Sequence, residues 1–95
     1  MKKIVVLGDQ DNVATSLKSL EAGDVVTVQV GAETREIAIK DAVPFGHKIA
    51  ITPMAAEQDV LKYGEVIGRA SQAIEPGEWV HIHNIESVRA RGDLQ

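Results

Sequence analysis

Apolar and polar residues alternate along much of the chain, as is typical of β-strands with one buried face. Val25–Val30 and Glu36–Ile39 both alternate in this way, and Gly31 and Ala32 stand between them. A short spacer that contains glycine favours a tight turn between paired strands. We therefore predict a β-hairpin over this region.

Other short apolar runs are separated by glycine and proline, which interrupt regular structure. They predict five more strands: Lys3–Leu7, His47–Ile51, Val60–Tyr63, Val66–Ala70 and Trp79–His83. Many short strands with frequent turn residues indicate a compact, mainly β fold. No internal repeat or linker is evident, so residues 1–95 are expected to form one domain, with residues 86–95 as a charged loop or arm.

One segment has a helical period. Val13, Leu17 and Leu20 are spaced i, i+4 and i+7, which predicts a short helix over residues 12–20. Polar or glycine residues suited to capping stand at both ends: Asp9, Asp11 and Asn12 at the start and Gly23 at the end. Capping would account fully for these three polar residues.

Composition and charge exclude several classes of function. The formal net charge is −4, with 14 acidic against 10 basic residues, and no Lys/Arg cluster is available to neutralise a run of phosphates. A nucleic-acid-binding role is therefore disfavoured. No cysteine is present, which removes disulfides and thiolate metal ligands. No segment is long enough to span a membrane, and the first apolar run is too short for an export signal, so we expect a cytoplasmic protein.

The densest polar chemistry lies in Trp79–Asn84. On a strand, residues two apart share a face, so His81 and His83 would point the same way while Val80 and Ile82 face the core. The two histidines would stand about 6.5 Å apart, close enough to converge on one metal ion or to act as an acid–base pair. A solvent-exposed face explains them equally well, and no third metal ligand is evident nearby.

Two shorter motifs carry cationic side chains. His47 and Lys48 follow a Pro-Phe-Gly turn and could hold a carboxylate or transfer a proton, although an ordinary turn before a polar strand explains them too. Lys62 and Tyr63 could do acid–base chemistry if burial lowers the lysine pKa. On a strand, however, these two side chains would face opposite ways.

The charged tail contains Arg89 and Arg91, whose spacing suits bidentate binding of a carboxylate or phosphate. Charged terminal arms are more often simply solvated, and the residues themselves do not decide between these interpretations.

Five segments in one order resemble the SAF domain of the altronate/galactarate dehydratase family. They are DNVA at Asp11–Ala14, PFGHKIA at Pro44–Ala50, VLKYGEVIGRA at Val60–Ala70, IEPGEWVHIHN at Ile74–Asn84 and RARGDL at Arg89–Leu94. The resemblance covers nearly the whole chain. It departs from the family pattern RGRGD at Ala90, where the family has glycine.

The resemblance implies a β-clip fold and a role as the small subunit, or N-terminal domain, of a sugar-acid dehydratase. Such an enzyme removes water from a 2,3-dihydroxy acid together with a large catalytic subunit and a divalent metal, commonly Fe²⁺. It implies catalytic roles for four residues: His47, Lys48, Tyr63 and His81. It implies substrate binding by Lys62, Asn84, Arg89 and Arg91, and metal binding by His81 and His83.

Two other functions fit the same resemblance. The chain is also similar to the small subunit of sulfolactate sulfo-lyase, in which sulfite leaves instead of water. Alternatively, it is a non-catalytic module that binds a sugar acid or mediates assembly. A dehydratase-type large subunit encoded beside this chain would favour a catalytic role over the non-catalytic one.

Overall fold

A computed structural model describes the backbone at residues 2–6 and 10–87 and the side chains at residues 10–86. Within these residues the structure consists of strands: β1 Lys2–Val6, β2 Val13–Thr15, β3 Val25–Val30, β4 Glu33–Ala38, β5 Lys48–Ala50, β6 Asp59–Lys62, β7 Glu65–Ala70, β8 Trp79–Val80 and β9 Ile85–Ser87. The mainly β class is thus confirmed. No helix long and apolar enough to cross a membrane occurs in this part of the chain.

The strands form three small sheets with the orders β1-β3-β4, β2-β5-β8 and β6-β7-β9. β1 pairs with β3 in parallel, and the other ladders are antiparallel. Two clusters of buried aliphatic side chains lie between the sheets. The first is centred on β3 and β4 and the second on the other two sheets. The β5 strand contributes to both, with Ile49 in one cluster and Ala50 in the other.

The predicted hairpin is confirmed as β3 and β4. Val26, Val28 and Val30 are buried, because alternate side chains of β3 point toward the first core cluster. Gly31 has a φ of 60° in the connecting turn, a backbone conformation that glycine adopts without steric cost.

The predicted helix over residues 12–20 is wrong. Val13–Thr15 is the strand β2, which pairs with β5, and Leu20 forms an isolated antiparallel bridge with Val43. Leu17, which the helical spacing placed on a buried face, is 66% exposed. Between these pairings the Ser16 hydroxyl hydrogen-bonds to the Lys18 backbone, a local turn that competes with a helix. Long-range strand pairing overrides the local apolar period here.

Asp11 and Asn12 stabilise a distant hairpin instead of capping a helix. The buried carboxylate of Asp11 accepts hydrogen bonds from the Tyr63 and Gly64 amides at 2.7 and 2.8 Å. The buried Asn12 side chain accepts from the Leu61 amide at 2.7 Å and donates to the Asp59 carbonyl at 3.0 Å. Both side chains therefore attach the start of β2 to β6 and to the turn that follows it. Asp9 lies outside the described residues.

A seven-residue turn pattern occurs four times, over residues 20–26, 43–49, 54–60 and 74–80, although we predicted no repeat from the sequence. Each turn begins and ends with a buried apolar residue. The fourth residue always has a positive φ: Gly23, Gly46, Glu57 and Gly77. The turns associate in pairs through reciprocal backbone hydrogen bonds, Leu20 with Val43 and Met54 with Ile74. The repeat lies in this backbone geometry more than in residue identity.

The fifth residue of the turn has a recurrent side-chain role with one exception. In three turns its side-chain oxygen accepts a hydrogen bond from the amide of the second residue. These pairs are Asp24 with Glu21 at 2.9 Å, Gln58 with Ala55 at 3.0 Å and Glu78 with Glu75 at 3.1 Å. In the turn over residues 43–49 the second residue is Pro44, which has no N–H, and the fifth is His47. The His47 ring is therefore not used to cap its own turn.

We predict that Gly77→Ala destabilises the protein more than Gly23→Ala. Both glycines have a left-handed φ, so alanine at either position is expected to cost about 1–2 kcal/mol. At Gly77 an added Cβ would also overlap the carbonyl oxygen of Ala38, whereas at Gly23 it would meet open space. This overlap should add about 1–3 kcal/mol. Urea unfolding would measure the difference, and equal losses for the two variants would contradict the packing described at Gly77.

Candidate functional site

All three histidines of the chain gather around its single tryptophan. We call His47, Trp79, His81 and His83 the imidazole cluster. The Trp79 ring stacks on His81 at 5.1 Å between centroids and meets His83 at 5.4 Å and His47 at 5.6 Å. The His47 and His81 rings are 5.1 Å apart. Residues far apart in sequence are thus brought to one place.

Trp79 is held from several directions. It pairs with Ile49 across the β5–β8 ladder, and its amide donates to Asp41 Oδ2 at 3.1 Å. One part of the indole packs against the first core cluster. Its Nε1–H donates to Nδ1 of His47 at 3.2 Å. Trp79 therefore connects the hydrophobic core to the polar cluster.

The strand predicted over Trp79–His83 ends at Val80. The expectation that the side chains after Val80 alternate between two faces of a strand is therefore wrong. Residues 81–84 form a turn in which the amides of Asn84 and Ile85 both donate to the His81 carbonyl at 3.0 Å. Val80 is buried as expected, but Ile82 is 83% exposed instead of lying in the core. The turn, not a strand face, directs both His81 and His83 toward Trp79.

Asn84 is a buried residue of the turn that carries His81 and His83. The residue is fully buried, and its side chain accepts from the His81 amide and donates to the Trp79 carbonyl, both at 2.9 Å. Its side-chain amide thus satisfies its hydrogen bonds within the protein, and its contact with substrate stays a prediction. Asn84 therefore shapes the loop that carries His81 and His83.

Lys48 extends the cluster with a partly buried cation. It pairs with Thr15 on one side and with Val80 on the other. Burial, followed by the charge of Lys62, lowers the pKa of Lys48. Among the described side chains, no carboxylate forms a salt bridge with either lysine. The positive charge on this side of the cluster is therefore uncompensated by the described part of the chain.

The pKa of His81 is lowered by the same kinds of effect, burial and nearby charge. Burial is the largest cause that lowers its pKa, and His47, Lys48 and His83 act in the same direction. The neutral imidazole is therefore favoured, and a neutral imidazole is the form that can accept a proton.

Lys62 and Tyr63 contact each other, contrary to the opposite orientations expected on a strand. β6 ends at Lys62, and Tyr63 has a φ of 55° in the following turn. This turn brings the Lys62 Nζ to 5.1 Å from the centroid of the Tyr63 ring, a cation–π distance. Lys62 acts on Lys48 electrostatically, and the Tyr63 side chain is largely exposed beside it.

The predicted tail residues Arg89 and Arg91 lie outside the described residues. Glu86 and Ser87, which the predicted arm over residues 86–95 included, belong to β9 and pair with β7, and the rest of that arm lies outside the described residues.

Sequence reasoning missed two features of this site. Trp79 was given no role in the sequence analysis. Its signal was that it is the single tryptophan of a chain poor in aromatic residues and stands two residues before His81. Thr15 had no distinguishing signal in the sequence. Its hydroxyl is buried without a hydrogen-bond partner, and its backbone lies opposite Lys48.

Comparison of the amino-acid sequence with known proteins identifies the family of the chain. Residues 2–88 match the altronate/galactarate dehydratase SAF domain. The chain belongs to this SAF-domain family. The resemblance noted in the sequence is thereby confirmed, and the mainly β structure around the cluster is the structure of a SAF domain.

The relatives of this SAF domain are lyases of different lengths. Subunit alpha of (2R)-sulfolactate sulfo-lyase from Chromohalobacter salexigens is 41% identical over 75 residues, which cover 77% of this chain and 80% of that subunit. Altronate dehydratase from Bacillus subtilis is 36% identical over 87 residues, or 92% of this chain but 17% of the dehydratase. The Escherichia coli altronate dehydratase is 39% identical over 74 residues, 78% of this chain and 14% of the enzyme. The chain thus spans a small part of the dehydratases it matches.

The SAF domain does not by itself build a metal centre in its described residues. In residues 2–6 and 10–87, no group of three or more His, Cys, Asp or Glu side chains is arranged to hold a metal ion. One of the three imidazoles, His47, already uses its Nδ1 to accept the indole hydrogen bond. The donor set therefore does not fit a complete metal site, and the predicted ligation by His81 and His83 stays a prediction.

We predict that His81 titrates below its usual value of 6.5, because burial and the neighbouring His47, Lys48 and His83 side chains disfavour its charged form. Lys48→Gln removes one of those groups and should move the midpoint upward, as followed by NMR. Lys40→Gln is the control, since this exposed lysine is not among the groups that act on His81.

The same shift sets the sign of a stability effect. The folded protein binds the His81 proton less tightly than the unfolded chain does. The contribution of His81 to the free energy of unfolding is fully present above pH 6.5. It is lost as the pH falls through the lowered pKa that His81 has in the folded state. His81→Gln should remove this contribution to the slope of unfolding free energy against pH. An unchanged slope would contradict the assignment.

Proposed function

We propose that this SAF domain contributes one wall of the active site of a sugar-acid dehydratase whose larger catalytic part completes the site. The observation that supports it is the convergence of His47, His81 and His83 around Trp79, with Lys48 near enough to His81 to lower its pKa. Membership of a family whose relatives are named as dehydratases and sulfo-lyases supports the reaction class. The β-clip fold that the resemblance implies is part of this proposal.

The chemistry of dehydration matches the groups in the cluster. Removal of water from a 2,3-dihydroxy acid requires a base to take the proton beside the carboxylate and an acid to assist the leaving hydroxyl. His81 is suited to the first role because its neutral form is favoured. The charges of Lys48 and Lys62 would attract the substrate carboxylate, since described carboxylates form no salt bridge with them.

The remaining predicted residues take supporting roles in this proposal. His47 and His83 would contact substrate from either side of the reacting atoms, and Tyr63 would supply a hydroxyl donor at the edge of the site. Arg89 and Arg91 keep their proposed substrate contacts as predictions from the sequence. A divalent metal, expected to be Fe²⁺, belongs to the assembled enzyme in this proposal, and no step above passes through it.

Exposed apolar side chains around the cluster support the need for a larger partner. Leu17, Phe45 and Ile82 are 66%, 67% and 83% exposed. Phe45 lies in the His47 turn, Ile82 lies between the other two histidines, and Leu17 follows Ser16, which hydrogen-bonds to the His47 turn. Apolar side chains grouped around polar functional residues are typical of a surface covered by another protein surface. We propose that the larger catalytic part covers these three exposed side chains.

A second candidate function is the role of subunit alpha in a sulfo-lyase. It is favoured by the 41% identity to the Chromohalobacter salexigens subunit and by the 80% of that subunit that the alignment covers. The same cationic groups would then face an acid whose leaving group is sulfite. Assays of the assembled protein with altronate, galactarate and (2R)-sulfolactate would distinguish the two candidates.

We predict that His81→Ala and His83→Ala each reduce the activity of the protein assembled with its large catalytic partner. Loss of a positioned acid–base group typically lowers the rate by about 10²–10⁴-fold. Thr34→Ala on β4 is the control, because this exposed side chain belongs to the first sheet, away from the loops that carry the cluster. Activity near that of the unchanged protein in both histidine variants would overturn the catalytic proposal and favour a non-catalytic module.

We further predict that Phe45→Ser and Ile82→Ser weaken association with the large partner while leaving the isolated domain folded. Each replaces an exposed apolar side chain, so the core is unaffected. Removing a buried interface anchor typically costs about 2 kcal/mol or more of binding free energy. Val25→Ser, at a half-exposed position of the first sheet, is the matched control. Titration by calorimetry would measure the effect, and equal affinities for all variants would place the interface elsewhere.

A further inference from the structure

The His47 ring is available for another partner because of one proline. In the other three turns, the side chain of the fifth residue caps the amide of the second. Pro44 removes that amide from the turn over residues 43–49. The backbone of the turn is otherwise the same, since the Gly46 amide donates to the Ser16 carbonyl and the Ser16 amide donates to the His47 carbonyl. The turn is thus intact although its fifth residue caps no amide.

The ring released in this way is held by Trp79. The indole Nε1–H is only a donor, so Nδ1 of His47, at 3.2 Å, must accept and cannot carry a proton. In a neutral imidazole the proton then resides on Nε2. Trp79 is itself fixed by Asp41, by the first core cluster and by the stacked His81 ring. The hydrogen bond to His47 is therefore preorganised by the fold.

We propose that Trp79 is a positioning residue that holds His47 as its Nε2–H tautomer and so presents a single N–H donor to the site. The tautomer follows from the structure, but its role in catalysis rests on the proposed function. The ligand group that such a donor recognises is an oxygen acceptor, such as a carboxylate or the hydroxyl of an acid substrate. Pro44 has a matching role, since it keeps Nδ1 free for the indole.

The first test measures the hydrogen bond in the isolated protein by NMR at alkaline pH, where imidazoles are neutral. The single tryptophan and three histidines make the side-chain nitrogen resonances easy to assign. We expect Nε2 of His47 to be protonated, Nδ1 to be unprotonated, and a through-hydrogen-bond coupling to join Nδ1 to Trp79 Nε1. A proton on Nδ1, or a rapidly exchanging indole proton without that coupling, would overturn the proposal.

A pair of proline variants then tests the cause. Pro44→Ala restores an amide at the second position, where Nδ1 of His47 can cap it as Asp24 Oδ2 caps Glu21. This variant should lose the coupling to Trp79. Pro76→Ala is the control, because Pro76 occupies the third position of an equivalent turn and restores no such amide. Retention of the coupling in Pro44→Ala, or its equal loss in both variants, would contradict the role given to Pro44.

Activity of the assembled protein gives the functional readout. Trp79→Phe keeps an aromatic ring but removes the donor, and misplacing a reacting group by about 1 Å can lower the rate by about 100-fold. We expect a loss of kcat in Trp79→Phe and in Pro44→Ala, with Pro76→Ala unchanged. Unchanged kcat in Pro44→Ala, with the coupling gone, would overturn the positioning role. Absence of turnover in every variant and in the unchanged protein would refute the proposed function while leaving the NMR result intact.

Discussion

The short ladder between β5 and β8 is the contact on which the site depends. It pairs Lys48 with Val80 and Ile49 with Trp79, two segments that are about thirty residues apart in the chain. Because neighbouring strands lie about 5 Å apart, the residues next to the ladder, His47 just before β5 and His81 just after β8, must come close together. Separating this pair of strands would divide the cationic turn from the other two histidines.

The loops around this ladder are stabilised by hydrogen bonds more than by a large core. The paired turns satisfy their own backbone groups, and the buried side chains of Asp11, Asn12 and Asn84 satisfy amides in neighbouring turns. A domain of this size buries a smaller fraction of its unfolded surface than a larger domain does and so has less apolar area to hold loops in place. Polar side chains at specific positions therefore determine the shape of the surface that carries the imidazole cluster.

Residues in and beside the cluster differ in how far they are exposed. Trp79 packs against the core and donates to His47, and Asn84 is fully buried and hydrogen-bonded, whereas His83 is exposed and His81 and Lys48 are half-buried. In the described part of the chain no carboxylate forms a salt bridge with Lys48, and Leu17, Phe45 and Ile82 are exposed. Both features support the proposal that a larger catalytic part and an acidic ligand cover this surface.

The amino-acid sequence by itself determined the mainly β class, the hairpin of β3 and β4 and the family, and it offered the three histidines and Lys48 as candidate site residues. These depend on local alternation, turn residues and motif order. Tertiary structure alone decided that residues 12–20 form no helix, that Ile82 is exposed, that Asn84 is buried, and that Trp79 links the three imidazoles. The reason is that each of these outcomes depends on partners distant in the chain, such as β5 for β2 and the His47 turn for Trp79. The spacing of residues along a single segment does not specify such partners.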